Sequence, residues 1–176
     1  ITEIGYGMYL DMLSEAVANL KAGKKNLQST EKNYELDMDL PLSCLLPSNW
    51  IKDIPMRLQL YQELNSCKDF TAVEEFRTTM LDRFGAAPIE AFNLLESKKL
   101  SIRAQGLGIK SLRASKSHLT IKLGINNKLD LKKIISLIQR KPQQFRLADA
   151  VTLSCRHDQD VLAILPWINQ LLSELT

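Results

Sequence analysis

The amino-acid sequence predicts an α+β fold, in which a helical N-terminal segment and a three-helix cluster pack with a small, mostly antiparallel sheet. Over most of the chain up to Gly106, apolar residues recur every three or four positions, which is typical of amphipathic helices. Beyond Gly108, several short stretches alternate apolar and polar residues, as half-buried strands do. The chain has 176 residues, 45% of them hydrophobic, so it is long enough to bury a substantial core.

The first predicted element is a helix over residues 6–22, which has one apolar face. This face is formed by Tyr6, Leu10, Leu13, Val17 and Leu20. Near its end, Lys21, Lys24 and Lys25 suit the negative end of the helix dipole, although the same lysines could instead form a phosphate-binding patch. Residues 24–33 are polar and lack periodicity, which indicates a linker.

A strand is predicted over residues 34–40, where apolar and acidic residues alternate. Its outward face carries the carboxylates of Glu35, Asp37 and Asp39. Grouped carboxylates can bind a metal or transfer protons, but on a strand of this kind they more often keep an exposed edge soluble. The strand face is therefore interpreted as a solvated edge.

The central part of the chain predicts three consecutive helices. In the first, Asp53 caps the N-terminus and Pro55 lies in the first turn. Its inward-facing residues are Leu58, Tyr61 and Leu64. The third helix runs from about Pro88 to Ala104. Its core face is formed by Ile89, Phe92, Leu95 and Ile102.

The second helix, from Thr71 to Phe84, has the clearest local signals. Thr71 and Glu74 form a capping box, in which each side chain satisfies an unpaired amide at the helix start. Gly85 follows the last turn, where a left-handed residue commonly ends a helix. The apolar stripe consists of Val73, Phe76, Met80 and Phe84.

The C-terminal part predicts strands between two helices. Residues 109–114 and 118–123 form a hairpin, and residues around Ala148–Asp149–Ala150 connect two further short strands. Asp130 begins a helix that stops before Pro142. In the last helix, Pro166 is expected to kink the chain or to start its second half.

Recognisable catalytic and cofactor motifs are missing from the sequence. It contains no GxxxxGK[ST] or GxGxxG phosphate loop, no GxSxG elbow and no HExxH motif. The two histidines, His118 and His157, are interpreted as surface or capping residues. Cys44, Cys67 and Cys155 are too far apart in sequence for a zinc site built from neighbours. No catalytic residue, metal site or cofactor is therefore predicted.

The sequence also favours a cytoplasmic protein. Its three scattered cysteines are typical of reduced thiols, and no apolar run approaches the roughly 20 residues that span a bilayer. The net charge of +3 is mild and the basic residues are mixed with acidic ones, so nothing demands a nucleic-acid partner. Because the chain begins at Ile1 without a Met, we expect it to be a piece of a larger protein.

Three segments resemble a known family. The run ELDMDLPLSCLLPSNWIKDIPMRLQLYQEL, then EEFRTTMLDRFGAAP, then AQGLGIKSL are similar to the TRCF domain, the C-terminal module of Mfd, the bacterial transcription-repair coupling factor. The opening GYGMYLDMLSEAVANLKAG is similar to the segment that joins the motor of these proteins to the module. The resemblance is strongest over residues 35–114. It implies that residues 1–33 are a helical connector and residues 34–176 the C-terminal regulatory domain.

The resemblance implies a regulatory role without catalysis. Family members are ATP-dependent DNA translocases that push stalled RNA polymerase off double-stranded DNA and recruit UvrA for nucleotide excision repair. In the resting protein the C-terminal module docks on a UvrB-like module of the same chain, hides the UvrA-binding surface and restrains the motor. The present chain is then an autoinhibitory module, without a cofactor of its own.

The resemblance also assigns candidate interface residues. In the family, acidic residues around the LDRFG helix meet basic residues of the UvrB-like module. Here Asp82 fits that pattern, Glu75 and Glu74 lie on the same helix, and Arg83 follows Asp82. Thr79 occupies a position where relatives can have an acidic residue, so the chain departs from the pattern there.

The alternative is an accessory domain that contacts nucleic acid through its lysines. This interpretation would use Lys21, Lys24, Lys25, Lys98 and Lys99. It predicts salt-dependent binding to duplex DNA, because neutralised phosphates release counterions. An enzyme is the third possibility and has no supporting motif.

Overall fold

The structure, a computed structural model, describes residues 36–176. The predicted helix over residues 6–22 and the linker over residues 24–33 lie outside these. Five strands and five α-helices lie within the described part, together with a 3-10 turn at Val161–Ala163. Their order is β1 (Asp37–Asp39), α1 (Ile54–Ser66), α2 (Phe70–Phe84), α3 (Ile89–Gly106), β2 (Ile109–Ala114), β3 (His118–Leu123), α4 (Leu131–Arg140), β4 (Phe145–Asp149), β5 (Thr152–Arg156) and α5 (Ile164–Glu174). The predicted α+β class is confirmed.

The strands form one mixed sheet with the order β1-β2-β3-β5-β4. Only β1 and β2 are parallel, and the other three pairs are antiparallel. Two of these, β2–β3 and β4–β5, are hairpins joined by short turns. In β3, Leu119, Ile121 and Leu123 point to the buried face while the residues between them are exposed. The helices therefore cover one face of the sheet and leave the other to solvent.

The larger of two hydrophobic cores lies on the covered face of the sheet. It combines the inward residues of β2, β3 and β5 with one side of α4, most of α5 and the second half of α3. The predicted last helix is divided into a 3-10 turn and α5, and Pro166 lies in the first turn of α5. Of the two expected outcomes, Pro166 therefore starts the second half of the helix and does not kink it. Leu162 is in that 3-10 turn and is exposed.

The smaller core lies among the helices. It contains Leu46 and Ile51 of the connector, the inner faces of α1 and α2, and the first half of α3. Helix α3 belongs to both cores, since Leu95 contributes to the helical core and Leu100 to the sheet core. This helix ties the two regions together.

The predicted core face of α3 is partly wrong. Ile89 is 52% exposed and Phe92 is 43% exposed, whereas Ala91 and Ala104 are buried with Leu95. The helical period selects the largest apolar side chains, but α3 lies between two cores and turns small residues toward its neighbours. Alanine lets a neighbouring backbone approach closely, so the buried face follows contact geometry and not side-chain size.

Helix starts are set by three aspartates. Asp53, Asp69 and Asp130 each accept a hydrogen bond from a backbone N–H of the first turn. The caps at Asp53 and Asp130 were predicted, and Pro55 lies in the first turn of α1 as expected.

Two predictions at neighbouring helices need correction. The buried residues of α1 are Leu60 and Leu64, while the predicted Leu58 and Tyr61 are only half-buried. Pro88 is the N-cap of α3 and not its first helical residue. Because α1 starts where the Asp53 cap predicts, its buried face is decided by packing in the helical core.

The histidines occupy different environments. His118 is exposed at the start of β3 and shares a 2.8 Å hydrogen bond with the Ser117 hydroxyl. His157 is buried, so of its two predicted roles, surface or capping, only the capping role remains. Its ring packs 5.0 Å from that of Trp167, and its Nδ1 accepts the Gln159 N–H at 3.3 Å, as a local cap would.

Candidate docking surface on the second helix

Helix α2 carries all five candidate interface residues. Val73, Phe76 and Met80 bury one side of the helix in the helical core. At the C-terminus, Gly85 adopts φ 78°, a left-handed conformation that residues with a side chain rarely adopt, which confirms the predicted helix end. Because the inner side is fixed by packing, the outer side faces solvent.

The capping box predicted at Thr71 and Glu74 is wrong. The helix begins earlier, at Phe70, and its N-cap is Asp69, whose carboxylate accepts the Ala72 N–H at 2.8 Å. An ionised aspartate both caps the first turn and interacts with the positive end of the helix dipole, which favours it over threonine. Glu74 therefore takes no part in the N-terminal cap.

The structure brings Glu75, Thr79 and Asp82 together on the outer side of α2. Their spacing of four and three residues places them within an arc of about 60°. All three are exposed, and within residues 36–176 neither carboxylate forms an ion pair. We call these three residues the acidic face.

Thr79 contributes no charge to the acidic face. Its hydroxyl donates a 3.0 Å hydrogen bond to the carbonyl oxygen of Glu75, one turn earlier on the same helix. Thr78 makes the same kind of bond to Glu74. The centre of the acidic face is therefore a neutral position between two carboxylates.

Asp82 occupies an electrostatically unfavourable position. It lies in the last turn of α2, where the helix dipole presents negative partial charge. Carboxylates are favoured at the opposite end of a helix, and a misplaced one costs ~0.3–1 kcal/mol. Within the described residues, no cation compensates Asp82 through an ion pair.

Arg83 points to the neighbouring helix and not to Asp82. Its Nη2 lies 3.2 Å from Sδ of Met56 in α1, and its guanidinium carbon lies 5.1 Å from the ring centroid of Phe84. The carbonyl oxygen of Phe84 accepts the Trp50 Nε1–H at 3.0 Å, and the two rings meet edge to face at 5.9 Å. Trp50 was not predicted to have this role. Together these contacts fix the corner that carries Asp82.

Glu74 lies outside the acidic face and joins α2 to α3. Its carboxylate forms ion pairs with Lys99 and, at 3.2 Å, with Arg77, while Lys99 also binds Glu96 at 2.7 Å. The hydrogen bond from Lys99 is the main reason that the pKa of Glu74 is lowered. Burial alone would lower the pKa of Lys99, but the bonds to Glu74 and Glu96 outweigh it, and the pKa is raised. Sequence spacing gave no signal for this contact.

The lysines of the alternative interpretation are only partly described. Lys21, Lys24 and Lys25 lie outside the described residues. Lys98 donates to the carbonyl oxygen of Asn65 at 3.0 Å, and Lys99 is held by its two glutamates. The two described lysines of this set are therefore engaged in contacts that hold the helices together.

Other kinds of site find little support in the described part of the chain. Residues 36–176 contain no group of three His, Cys, Asp or Glu that could hold a metal. None of the helices described is long and apolar enough to cross a membrane. A cavity of about 130 Å³ lies between α5 and the end of β5, and His157 and Trp167 are among its lining residues.

The fold is that of a known class of protein domain. A solved structure described as the crystal structure of the C-terminal domain of a transcription-repair coupling factor superposes with a TM-score of 0.64. The match covers 80% of this chain and 94% of that chain, at 17% sequence identity. This likeness shows that the two chains share the same fold.

The family follows from the sequence comparisons. The pattern of the TRCF domain matches residues 40–134. The chain is 31% identical over 173 residues to the transcription-repair-coupling factor of Escherichia coli strain K12, which covers 98% of this chain and 15% of the relative. It is 31% identical over 159 residues to that of Myxococcus xanthus, covering 90% of this chain and 13% of the relative. The chain belongs to the TRCF domain family and spans about one seventh of these relatives' length.

Proposed function

We propose that this chain is the non-catalytic regulatory module of a transcription-repair coupling factor, and that the acidic face of α2 docks on the UvrB-like module of the same protein. In the docked state it masks the UvrA-binding surface and restrains the ATP-driven motor that removes stalled RNA polymerase from DNA. Residues 1–33 are the connector to that motor, and residues 34–176 are the module. The proposal includes a cytoplasmic location for the protein.

The observation that carries the proposal is the position of Asp82. The side chain is exposed, lies at the wrong end of the helix dipole and has no ion-pair partner within residues 36–176. A charge that its own helix disfavours gains most from a cation supplied by another surface. Glu75 extends the same face by two turns, so a partner with two basic residues at matching spacing would contact both.

The rigidity of α2 is consistent with a docking role. Interfaces that form and release within one protein depend on charged rims, which give specificity without a large apolar seam. Such contacts need their charges held in place before binding, since ordering them on association costs free energy. The buried side of α2, the Gly85 corner and the Trp50 bond to Phe84 hold the acidic face in position.

Charge reversal in the complete protein tests the proposal. Asp82→Lys places a cation against the basic surface of the UvrB-like module, and a like-charge contact of this kind costs several kcal/mol. We expect UvrA affinity to rise by at least about tenfold, equivalent to ~1.4 kcal/mol. Isothermal titration of UvrA into the wild-type and variant proteins measures the change.

The matched control is Asp158→Lys, which makes the same charge change at an exposed aspartate after β5. It is expected to leave UvrA affinity unchanged. Equal affinity in wild type and Asp82→Lys, with the domain still folded, would remove Asp82 from the interface.

A further inference from the structure

The uncovered face of the sheet is polar and basic. Its exposed side chains are those that alternate with the core residues of β2, β3, β4 and β5. They include Arg113, Lys122, Arg146 and Arg156. Such cations on one face of the sheet, with α3, α4 and α5 packed on the other, were not anticipated from the mild net charge.

Strand register places these groups in rows across the sheet. Arg113 lies opposite Thr120, Thr120 opposite Ser154, and Ser154 opposite Arg146. Lys122 and Arg156 stand two residues away from this row, in opposite directions along β3 and β5. Given strand spacings of about 4.8 Å and a rise of about 3.4 Å per residue, the cations spread over roughly 15 Å around a central pair of hydroxyls.

Not all four cations are free to bind a partner. Arg113 donates to the Asp37 carboxylate at 2.6 Å and 3.0 Å, and β1 also carries the exposed Asp39 opposite Arg113, so that edge of the sheet is acidic and not basic. Lys122 lies near Asp149, whose pKa is lowered mainly by the Val151 N–H, then by Thr152, with a smaller contribution from Lys122. Within residues 36–176, Lys122, Arg146 and Arg156 form no ion pair. We call these three residues, with Thr120 and Ser154, the basic face.

We propose that the basic face contacts the phosphate backbone of a nucleic-acid duplex. The three cationic side chains project from backbone positions spread over roughly 15 Å, which matches several phosphates of a polyanion better than one small anion. Hydroxyls between the cations suit phosphate oxygens, which accept hydrogen bonds from Ser, Thr, Arg and Lys alike. The contact is sequence-independent, because contacts to phosphate oxygens carry no base information.

The chemistry of the basic face favours a duplex over other polyanions. A single strand would be bound through aromatic side chains on which bases stack, and these strand positions carry no Phe, Tyr or Trp. The centre of the basic face is Thr120 and Ser154, so it offers no aromatic or aliphatic anchor of the kind that carries most of the binding energy in many protein–protein interfaces. This inference concerns a different surface from the acidic face, and each stands without the other.

Salt-dependent binding of the complete chain to a short fluorescent DNA duplex tests the inference. With three phosphates neutralised, the plot of log affinity against log salt should have a slope of about −2.7. Fluorescence anisotropy between 50 and 200 mM salt would then show an affinity loss of about 40-fold. In the double variant Arg146→Glu/Arg156→Glu, the slope should fall to about −0.9 or binding should vanish.

The matched control is Lys132→Glu/Lys133→Glu, which makes the same change in net charge at exposed lysines of α4. It should keep the slope of the wild type, because α4 lies on the other side of the sheet. The single variant Arg146→Gln should reduce the slope by about one. It tests the inference even if the double variant does not fold. Equal slopes for the basic-face and control variants, no binding at low salt, or binding to polyglutamate but not to the duplex would each overturn the inference.

Discussion

The helical region and the sheet region of this domain are stabilised by different kinds of interaction. The sheet core contains 20 buried residues and the helical core nine, so hydrophobic burial stabilises the sheet region far more. The helical region adds specific polar contacts: the Glu74–Lys99 ion pair between α2 and α3, and the Trp50 bond to the end of α2. The helical region therefore depends on individual contacts more than the sheet region does.

The largest expected effect on stability comes from a substitution in each of the two cores, which tests whether they unfold independently. Ile121→Ala removes a fully buried side chain at the centre of the sheet and should destabilise the whole domain by ~2–5 kcal/mol. Met80→Ala in the helical core should cost a similar amount, yet mainly promote local opening of α1 and α2. Urea unfolding gives the global values, and hydrogen exchange shows where amides lose protection. Loss of protection in β2 and β3 in both variants would mean that the cores unfold as one unit.

The sequence predicted those parts of the architecture that are determined by residues close together in the chain. The stripe of α2, the Gly85 corner, the hairpin of β2 and β3 and the Asp130 cap could all be predicted, because neighbouring residues determine them. The pairing of β3 with β5 could not, since it depends on how a later hairpin docks against an earlier one. Glu74 shows the same limit, because its partner Lys99 lies on another helix.

The candidate site was predictable to a similar extent. Helical spacing alone puts Glu75, Thr79 and Asp82 on one side, and the structure agrees. Spacing cannot show that Arg83 turns toward Met56, or that cations on separate strands come together on one face of the sheet. These features arise from tertiary packing.

An intermediate effect should reveal how much the ion pairs contribute to the helical region. Lys99→Met leaves Glu74 without its main partner and should cost up to ~1 kcal/mol near neutral pH, since both groups retain solvent contact. Because the pKa of Glu74 lies below its usual 4.5, this contribution is complete above about that pH and is lost as pH falls through the lowered pKa. The pKa of Lys99 lies above its usual 10.5, so the contribution is also lost as pH rises through that raised value.

Urea unfolding of wild type and Lys99→Met across this pH range measures the difference. The control Lys116→Met removes an exposed lysine from the β2–β3 turn and should change stability little at any pH. A difference between wild type and Lys99→Met that persists well below the lowered pKa of Glu74 would show that packing of the lysine stem, and not its charge, joins α2 to α3.

The smallest expected effect on stability distinguishes a docking residue from a structural one. Asp82→Asn removes a carboxylate from the negative end of the α2 dipole without changing its size, so the isolated chain should become more stable by ~0.3–1 kcal/mol. The same variant in the complete protein should weaken docking and increase UvrA binding. Thermal unfolding of the isolated chain and UvrA titration of the complete protein measure the two effects. A residue retained only for stability would give the opposite stability result, because its loss would destabilise the domain. A more stable domain with weaker docking is the combination that assigns Asp82 to the interface, whereas a less stable domain would contradict the dipole argument.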